Sequence, residues 1–264
     1  MIESEFDSFK QQTRCPARYF LLNFDEKLSC AFHTQVGLTE LHLLEKIRPV
    51  FYIVMTLKIN IVYIFLSATL VASHNLTDSE VMAFDPPEEI KVAFPYYLSG
   101  YTEDQVPIWI FEAGKWDMRK YAELGGEQYD AMDIHVHKMF LTFKESALNS
   151  SAQQYIAMAD MEGLNIRQAG HPKTVQFMVQ QFARLERIAR DGWLKLGVFV
   201  NSNLLFDGVL KIGMPLLGSL QNVIEVYGSN KDAWIPKLLK LLPKDQLPEH
   251  YGGPVDHKIV KFFG

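Results

Sequence analysis

Few residues in this chain have the type and spacing that chemistry requires. Asp160 and Glu162 follow the apolar run Tyr155–Ala159, at the C-terminal end of a predicted strand, where sites of α/β proteins often lie. No His or Lys stands at a fixed spacing to make an acid–base pair with them, so turn chemistry is the expected role for both. His135 and His137 are two residues apart on a helical pattern, so their side chains leave on different faces and a shared metal is not expected. The two cysteines, Cys15 and Cys30, exclude a disulfide scaffold and a multi-cysteine zinc site. Neither G-x-S-x-G, a P-loop nor G-x-G-x-x-G occurs, which removes the signatures of an α/β-hydrolase nucleophile and of phosphate cradles. The chain therefore reads as a non-enzyme with no catalytic or metal residues, and a hydrolase-like enzyme is the remote alternative.

Composition agrees with a globular binding protein. The 264 residues are 48% hydrophobic and 22% charged, with 26 Lys+Arg against 31 Asp+Glu for a formal charge of -5. An acidic balance disfavours nucleic acid as a partner.

The elements that must position any site begin after residue 75. Residues 1–48 show no sustained period. Residues 49–73 are broken only by Lys58 and Asn60 before the small residues Ser67, Ala68 and Ala72. The uninterrupted part, Ile61 to Ala72, falls short of the roughly 20 residues of a full span. It suits a signal-type h-region of about 7–15 residues, with Met55–Lys58 as its n-region and Val71-Ala72-Ser73 as its cleavage site. A single membrane anchor and a buried element are the other readings of 49–73. The triplets at Asn75 and Asn149 are compatible with secretion.

Further on, Pro107–Phe111, Tyr155–Ala159, Leu196–Val200 and Val223–Tyr227 are short apolar runs read as strands. A helix is expected over Asp117 to Leu124, and another on the face Tyr129, Met132, Val136, Met139, Phe140 and Phe143. A third starts at Pro172 with Val175, Met178, Phe182, Leu185 and Ala189 as its buried face. Ala233–Leu242 is the last. Alternating strands and helices imply an α/β fold with a mostly parallel sheet. Arg184, Arg187 and Arg190 form an i,i+3 stripe read as a solvated face. Lys237, Lys240 and Lys244 suit a helix C-terminus, where cations oppose the dipole.

One element is unusual. Leu204–Leu217, LLFDGVLKIGMPLL, is apolar almost all round, with Asp207 and Lys211 its only charges. Gly208, Gly213 and Pro215 weaken or kink a helix. Such a helix must bury both faces, in the core or against a hydrophobic ligand or membrane.

Four motifs stand in order: Pro107-Ile-Trp-Ile, Ala159-Asp160-Met161-Glu162-Gly163, Val198-Phe-Val-Asn201 through Phe206 with Pro215-Leu-Leu, and Leu242-Pro243 through Tyr251-Gly252-Gly253. Together they resemble the CRAL-TRIO lipid-binding family. The resemblance covers residues 85–253, followed by a tail at 254–264. It implies a lipid pocket floored by the sheet and closed by the apolar helix as a gate, which moves when the protein meets a membrane surface. The expected ligand is one lipid (a phospholipid, a tocopherol-like molecule or another isoprenoid), with no cofactor, and the expected state is a monomer. A lipid-sensing scaffold without net transfer is the alternative. Burying an acyl or isoprenoid chain contributes about 0.8 kcal/mol per methylene. The family's usual place is the cytosol and its membranes, whereas 55–73 points to the secretory route.

Departures from the pattern bear on the ligand. Asn201-Ser202-Asn203 stands where the family has Asn-Ala-Pro. The Glu and Lys of its phosphoinositide-binding members are replaced around Asp191-Gly192 and Val223-Ile224, and Tyr155 and Ala157 occupy strand positions that carry hydroxyls in some phospholipid carriers. The helical lobe that usually precedes the sheet has no clear counterpart in residues 1–84. Strand parity, helix faces and the resemblance together give the expected pocket lining. The strands supply Ile108, Ile110, Tyr155, Ala157, Ala159 and Val200. The long helices supply Phe140, Phe143 and Phe177, and the gate supplies Phe206, Val209, Leu210, Gly213 and Leu217.

Overall fold

A computed structural model describes residues 76–264. The extension 1–48, the segment 49–73 and Asn75 lie outside the described residues. The first helix among the described residues, α1 (Asp78–Ala83), begins with a capping box in which the Thr77 hydroxyl accepts the Glu80 N–H and the Glu80 carboxylate accepts the Thr77 N–H. That pair satisfies two otherwise orphaned donors. Helix α2 (Glu88–Ala93) follows and buries Ile90. Strand β1 (Tyr96–Tyr101) pairs antiparallel with β2 (Pro107–Phe111). Helix α3 (Met118–Leu124) stops at Gly125, and α4 (Gly126–Ala147) starts at once.

The remaining elements alternate: β3 (Tyr155–Asp160), a short α5 (Ile166–Ala169), α6 (Pro172–Arg190), β4 (Leu194–Ser202), α7 (Leu204–Gly213), β5 (Ile224–Gly228), α8 (Lys231–Leu238) and β6 (Lys261–Phe263). The sheet order is β5-β4-β3-β2-β1-β6. The β2–β3, β3–β4 and β4–β5 pairs are parallel, and β1 is antiparallel to both its neighbours. The chain is thus α/β with a mostly parallel sheet, as its periodicity implies.

Three differences from the sequence reading have physical causes. Strand β1 (YYLSGY) is buried over five of its six residues and has no alternation to reveal it. The residues read as a tail carry β6, which completes the sheet; Phe263 stacks on Tyr96 with centroids 4.8 Å apart. The apolar helix is shorter than expected: it ends at Gly213 and continues as a 3-10 turn over Met214–Leu216 containing Pro215. Proline cannot supply the N–H that would continue the helix.

The sheet separates two apolar layers. On one face Trp109, Phe111, Tyr155, Ala157, Ala159 and Phe199 meet α4, α6 and α7. Phe143 is fully buried there and stacks on Trp109 at 4.6 Å, an aromatic pair of about 0.5–1.5 kcal/mol beyond area burial. On the other face Ile108, Ile110, Ile156, Met158, Val198 and Val200 pack against Trp234 and Leu238 of α8 and against Leu242, Leu247 and Tyr251. His135 is buried with Nε2 3.1 Å from the Phe94 carbonyl, and burial holds its pKa below the ordinary value. It is a core histidine. Among the described residues no helix is long and apolar enough to cross a membrane, and no group of His, Cys, Asp and Glu is placed to hold a metal.

Candidate binding cavity

The cavity lies where the sheet face is hollow. Central strand β3 turns only alanines, Ala157 and Ala159, toward the helices beyond Tyr155, so the floor is low in its middle. Phe111 of β2 and Phe199 of β4 flank Ala159 in the floor. Helix α4 supplies one wall through Val136, Met139 and Phe140. The other wall is α6, through Phe177, Met178, Gln181, Phe182 and Leu185. Ala113, Trp116, Met118 and Met161 close one end, and Phe206 of α7 is the roof. The cavity volume is about 60 Å³. An engineered cavity of roughly 150 Å³ in a core admits one benzene, so a larger molecule would enter only if the walls gave. Four of the lining residues are methionines, Met118, Met139, Met161 and Met178. Their unbranched, polarizable chains repack at low cost.

The roof is held at both ends. The Asn203 side chain caps α7 by accepting from the N–H groups of Leu205 and Phe206 at 3.0 and 3.1 Å, and it donates to the Leu164 carbonyl at 2.8 Å. Beyond the 3-10 turn, the Glu186 carboxylate of α6 accepts the N–H groups of Ser219 and Leu220 at 3.0 and 2.7 Å. Helix α7 sits directly on α6: a Cβ at Gly213 would fall 2.6 Å from the Phe182 ring, so a larger residue there requires the helix or the ring to shift. Its inner face (Phe206, Val209, Gly213) is buried, while Leu204 is 89% exposed and Ile166 of neighbouring α5 is 69% exposed.

The expected lining residues divide. Phe140, Ala159, Phe177 and Phe206 line the cavity, and Ala157 lines a smaller void of about 10 Å³ beside it. Phe143, Tyr155, Val209 and Leu217 are buried in the same layer without lining the space, and Leu210 packs on its margin. Ile108, Ile110 and Val200 are corrections: they belong to the opposite face. Every residue of β2 is buried, so no polar alternation marks which parity faces the helices. The side chains that do line the floor are the neighbours Phe111 and Phe199. Of the lining residues not assigned from sequence, Val136, Met139, Met178, Phe182 and Leu185 were already marked as buried by helical periodicity. Trp116, Met161 and Gln181 carry no such signal.

The Arg stripe is also corrected. Arg184 is not solvated but forms a bidentate pair with Asp133 of α4 at 2.7 and 2.6 Å, with side-chain exposures of 15% and 24%. Arg187 and Arg190 are exposed.

At the C-terminal edge of the sheet, Asp160 does more than shape its turn. Oδ1 accepts the Glu162 N–H and the Asn201 side-chain amide, both at 2.8 Å, and Oδ2 accepts the Tyr251 hydroxyl at 2.8 Å. Burial and the Asp160 charge push the Tyr251 hydroxyl pKa upward. The motif around Tyr251 is fixed sterically, since a Cβ at Gly253 would lie 1.6 Å from the Leu247 carbonyl oxygen. Beside it, Glu112 meets Lys115 at 2.5 Å and His250 at 3.6 Å. The nearby His250 imidazole, with Lys115 adding to it, holds its pKa at about 2 against an ordinary 4.5. A depressed carboxylate stabilises the fold above its unfolded pKa, and that stability is lost as pH falls through the folded one. Acid titration of unfolding stability should therefore fall between about pH 4.5 and about pH 2 less steeply in Glu112→Gln than in wild type. Glu112 is partly exposed, so solvent screening keeps the difference small.

Comparison with known proteins gives two findings. The family model described as CRAL/TRIO domain matches residues 92–253. A solved structure described as "Crystal structure of Sfh5" superposes with a TM-score of 0.47 at 13% identity, covering 66% of this chain and 60% of that chain's length.

Proposed function

The chain belongs to the CRAL/TRIO domain family, and we propose that it binds a single hydrophobic lipid between α4, α6 and the sheet and carries or presents it between membranes. Lipid binding is the family-level property. The observation that carries the reading for this chain is the cavity itself. It has an alanine floor, a methionine-rich wall and a roof helix built to rest on α6 through Gly213. Sites for small apolar ligands are concave and lined by such side chains. Leu204 and Ile166, exposed beside the roof, offer apolar contacts to a membrane surface.

The test is native mass spectrometry of the purified full chain, followed by solvent extraction of whatever is bound. One lipid per chain, recovered reproducibly, is the expected result. A folded chain that carries no lipid, and takes none from phosphatidylcholine vesicles doped with retinol, α-tocopherol or cholesterol, would overturn the reading.

A further inference from the structure

The main cavity and the smaller void of about 10 Å³ share a border: Phe111, Ala159, Leu185 and Phe199 line both. Three of these four have side chains that can turn, and Ala159 is a low sill among them. Beyond the sill the floor stays low. Ala157 and Gly197 are partners across the β3–β4 pair, and both border the smaller void. Residues two apart on a strand share a face about 6.6 Å apart, and the next strand lies about 4.8 Å away. Ala159, Ala157 and Gly197 thus form a lane about 11 Å long in which no side chain exceeds a methyl. Its far wall is Ile224 of β5, since a Cβ at Gly197 would stand 3.2 Å from the Ile224 Cγ2 methyl. Leu194 and Leu220 complete that end. An apolar space of this kind stays dry, so hydrocarbon is what gains by filling it.

Resting on the lipid-binding reading above, we infer that the two voids are one tunnel in the loaded protein, that the ligand is a lipid with an unbranched acyl or alkyl chain, and that Gly197 and Ile224 set the chain length it accepts. The lane is one residue wide. At Ala159 it runs between Phe111 and Phe199, the partners on β2 and β4, and a fused-ring sterol passes between two phenyl rings only by displacing them. The end void has the room of about one water-sized group. A straight chain ends in one methyl and fits there. An isoprenoid chain ends in two methyls on one carbon and does not. The selection acts on the tail, whatever headgroup the tail carries.

The test varies tail length. The full chain is equilibrated with vesicles of phosphatidylcholines bearing myristoyl, palmitoyl, stearoyl or arachidoyl tails, doped with the straight-chain alcohols of the same lengths, α-tocopherol and cholesterol. Native mass spectrometry reads which species are bound. Wild type should take straight-chain species over α-tocopherol and cholesterol. Gly197→Val closes the end of the lane and should lower the bound ratio of stearoyl-length to myristoyl-length species about tenfold. That corresponds to about 1.4 kcal/mol, the burial of about two methylenes. Ile224→Ala deepens the lane and should raise the ratio of arachidoyl-length to palmitoyl-length species. Lost stability cannot lengthen the favoured tail, so the opposite shift separates the tunnel from misfolding, and circular dichroism checks that both variants are folded. Comparison with wild type on the same vesicles cancels the unequal partition of the lengths. An unchanged ratio in Ile224→Ala, or in folded Gly197→Val, would overturn the inference. Selective uptake of α-tocopherol or cholesterol by wild type would overturn it too, while leaving the carrier reading standing. A chain that takes up none of these lipids overturns the carrier reading itself, and this inference with it.

Discussion

Asp160→Ala is expected to lower the free energy of unfolding by about 3 kcal/mol. The carboxylate is 2% exposed and accepts three hydrogen bonds, from a backbone N–H, the Asn201 amide and the Tyr251 hydroxyl. Hydrogen bonds to a charged group contribute about 1.5–3 kcal/mol each, and donors left buried without a partner cost about 1–3 kcal/mol. The losses do not add fully, because the three donors share one acceptor group and water can partly replace it. The substitution also uncouples three parts of the chain: the end of β3, the end of β4 and the segment around Tyr251. Asn201 at that junction holds φ of +55°, a conformation asparagine tolerates better than most residues. Urea unfolding followed by tryptophan fluorescence reads the effect directly. A midpoint equal to wild type would show that the network does not hold the edge together.

The second large effect is on function. Ala159→Phe should reduce lipid uptake at least tenfold while the chain stays folded. Ala159 is the low point of the floor and borders both the main cavity and the smaller void. A phenyl ring there fills the space that a ligand chain needs, and overpacking of this kind costs about 1–3 kcal/mol. Ile110→Val serves as the control. It removes a buried methylene on the opposite face at a cost of about 0.5–1.5 kcal/mol, and uptake should be unchanged. The pair is scored by transfer of a fluorescent lipid from vesicles, with thermal unfolding in parallel. Equal loss of uptake in both variants would mean that stability, and not the floor, governs binding.

The contrast between those two positions shows how far the sequence can be read. Helices α4 and α6 have one polar and one apolar side, so their buried residues recur at three and four and could be named in advance, Phe140 and Phe177 among them. Strands β2, β3 and β4 are covered on both faces, and a strand with no polar side has no readable parity. Ala157 and Ala159 were placed on the correct side, while Ile108, Ile110 and Val200 were not. Small residues in a central strand were the better guide, since an alanine between aromatic neighbours leaves space on whichever face it turns to. Arg184 was misread for a different reason. Its partner Asp133 is 51 residues away, and a stripe of arginines looks solvated until the opposing helix is known. Strand β6 illustrates the same limit: Phe263 finds Tyr96 only through the closure of the sheet.

The two anchorages of the roof restrict how the cavity can open. Asn203 ties one end of α7 to Leu164, and Glu186 ties the chain again at Ser219 and Leu220. A rod fixed at one end swings like a door, but a segment tied at both ends can only roll or bow about the line joining its ties. While those bonds last, any opening would be confined to the flank of α7 and kept from its tip. With ten residues in the helix at 1.5 Å each, a slit along that flank would be about 15 Å long, a letterbox for a slender molecule lying parallel to the helix axis.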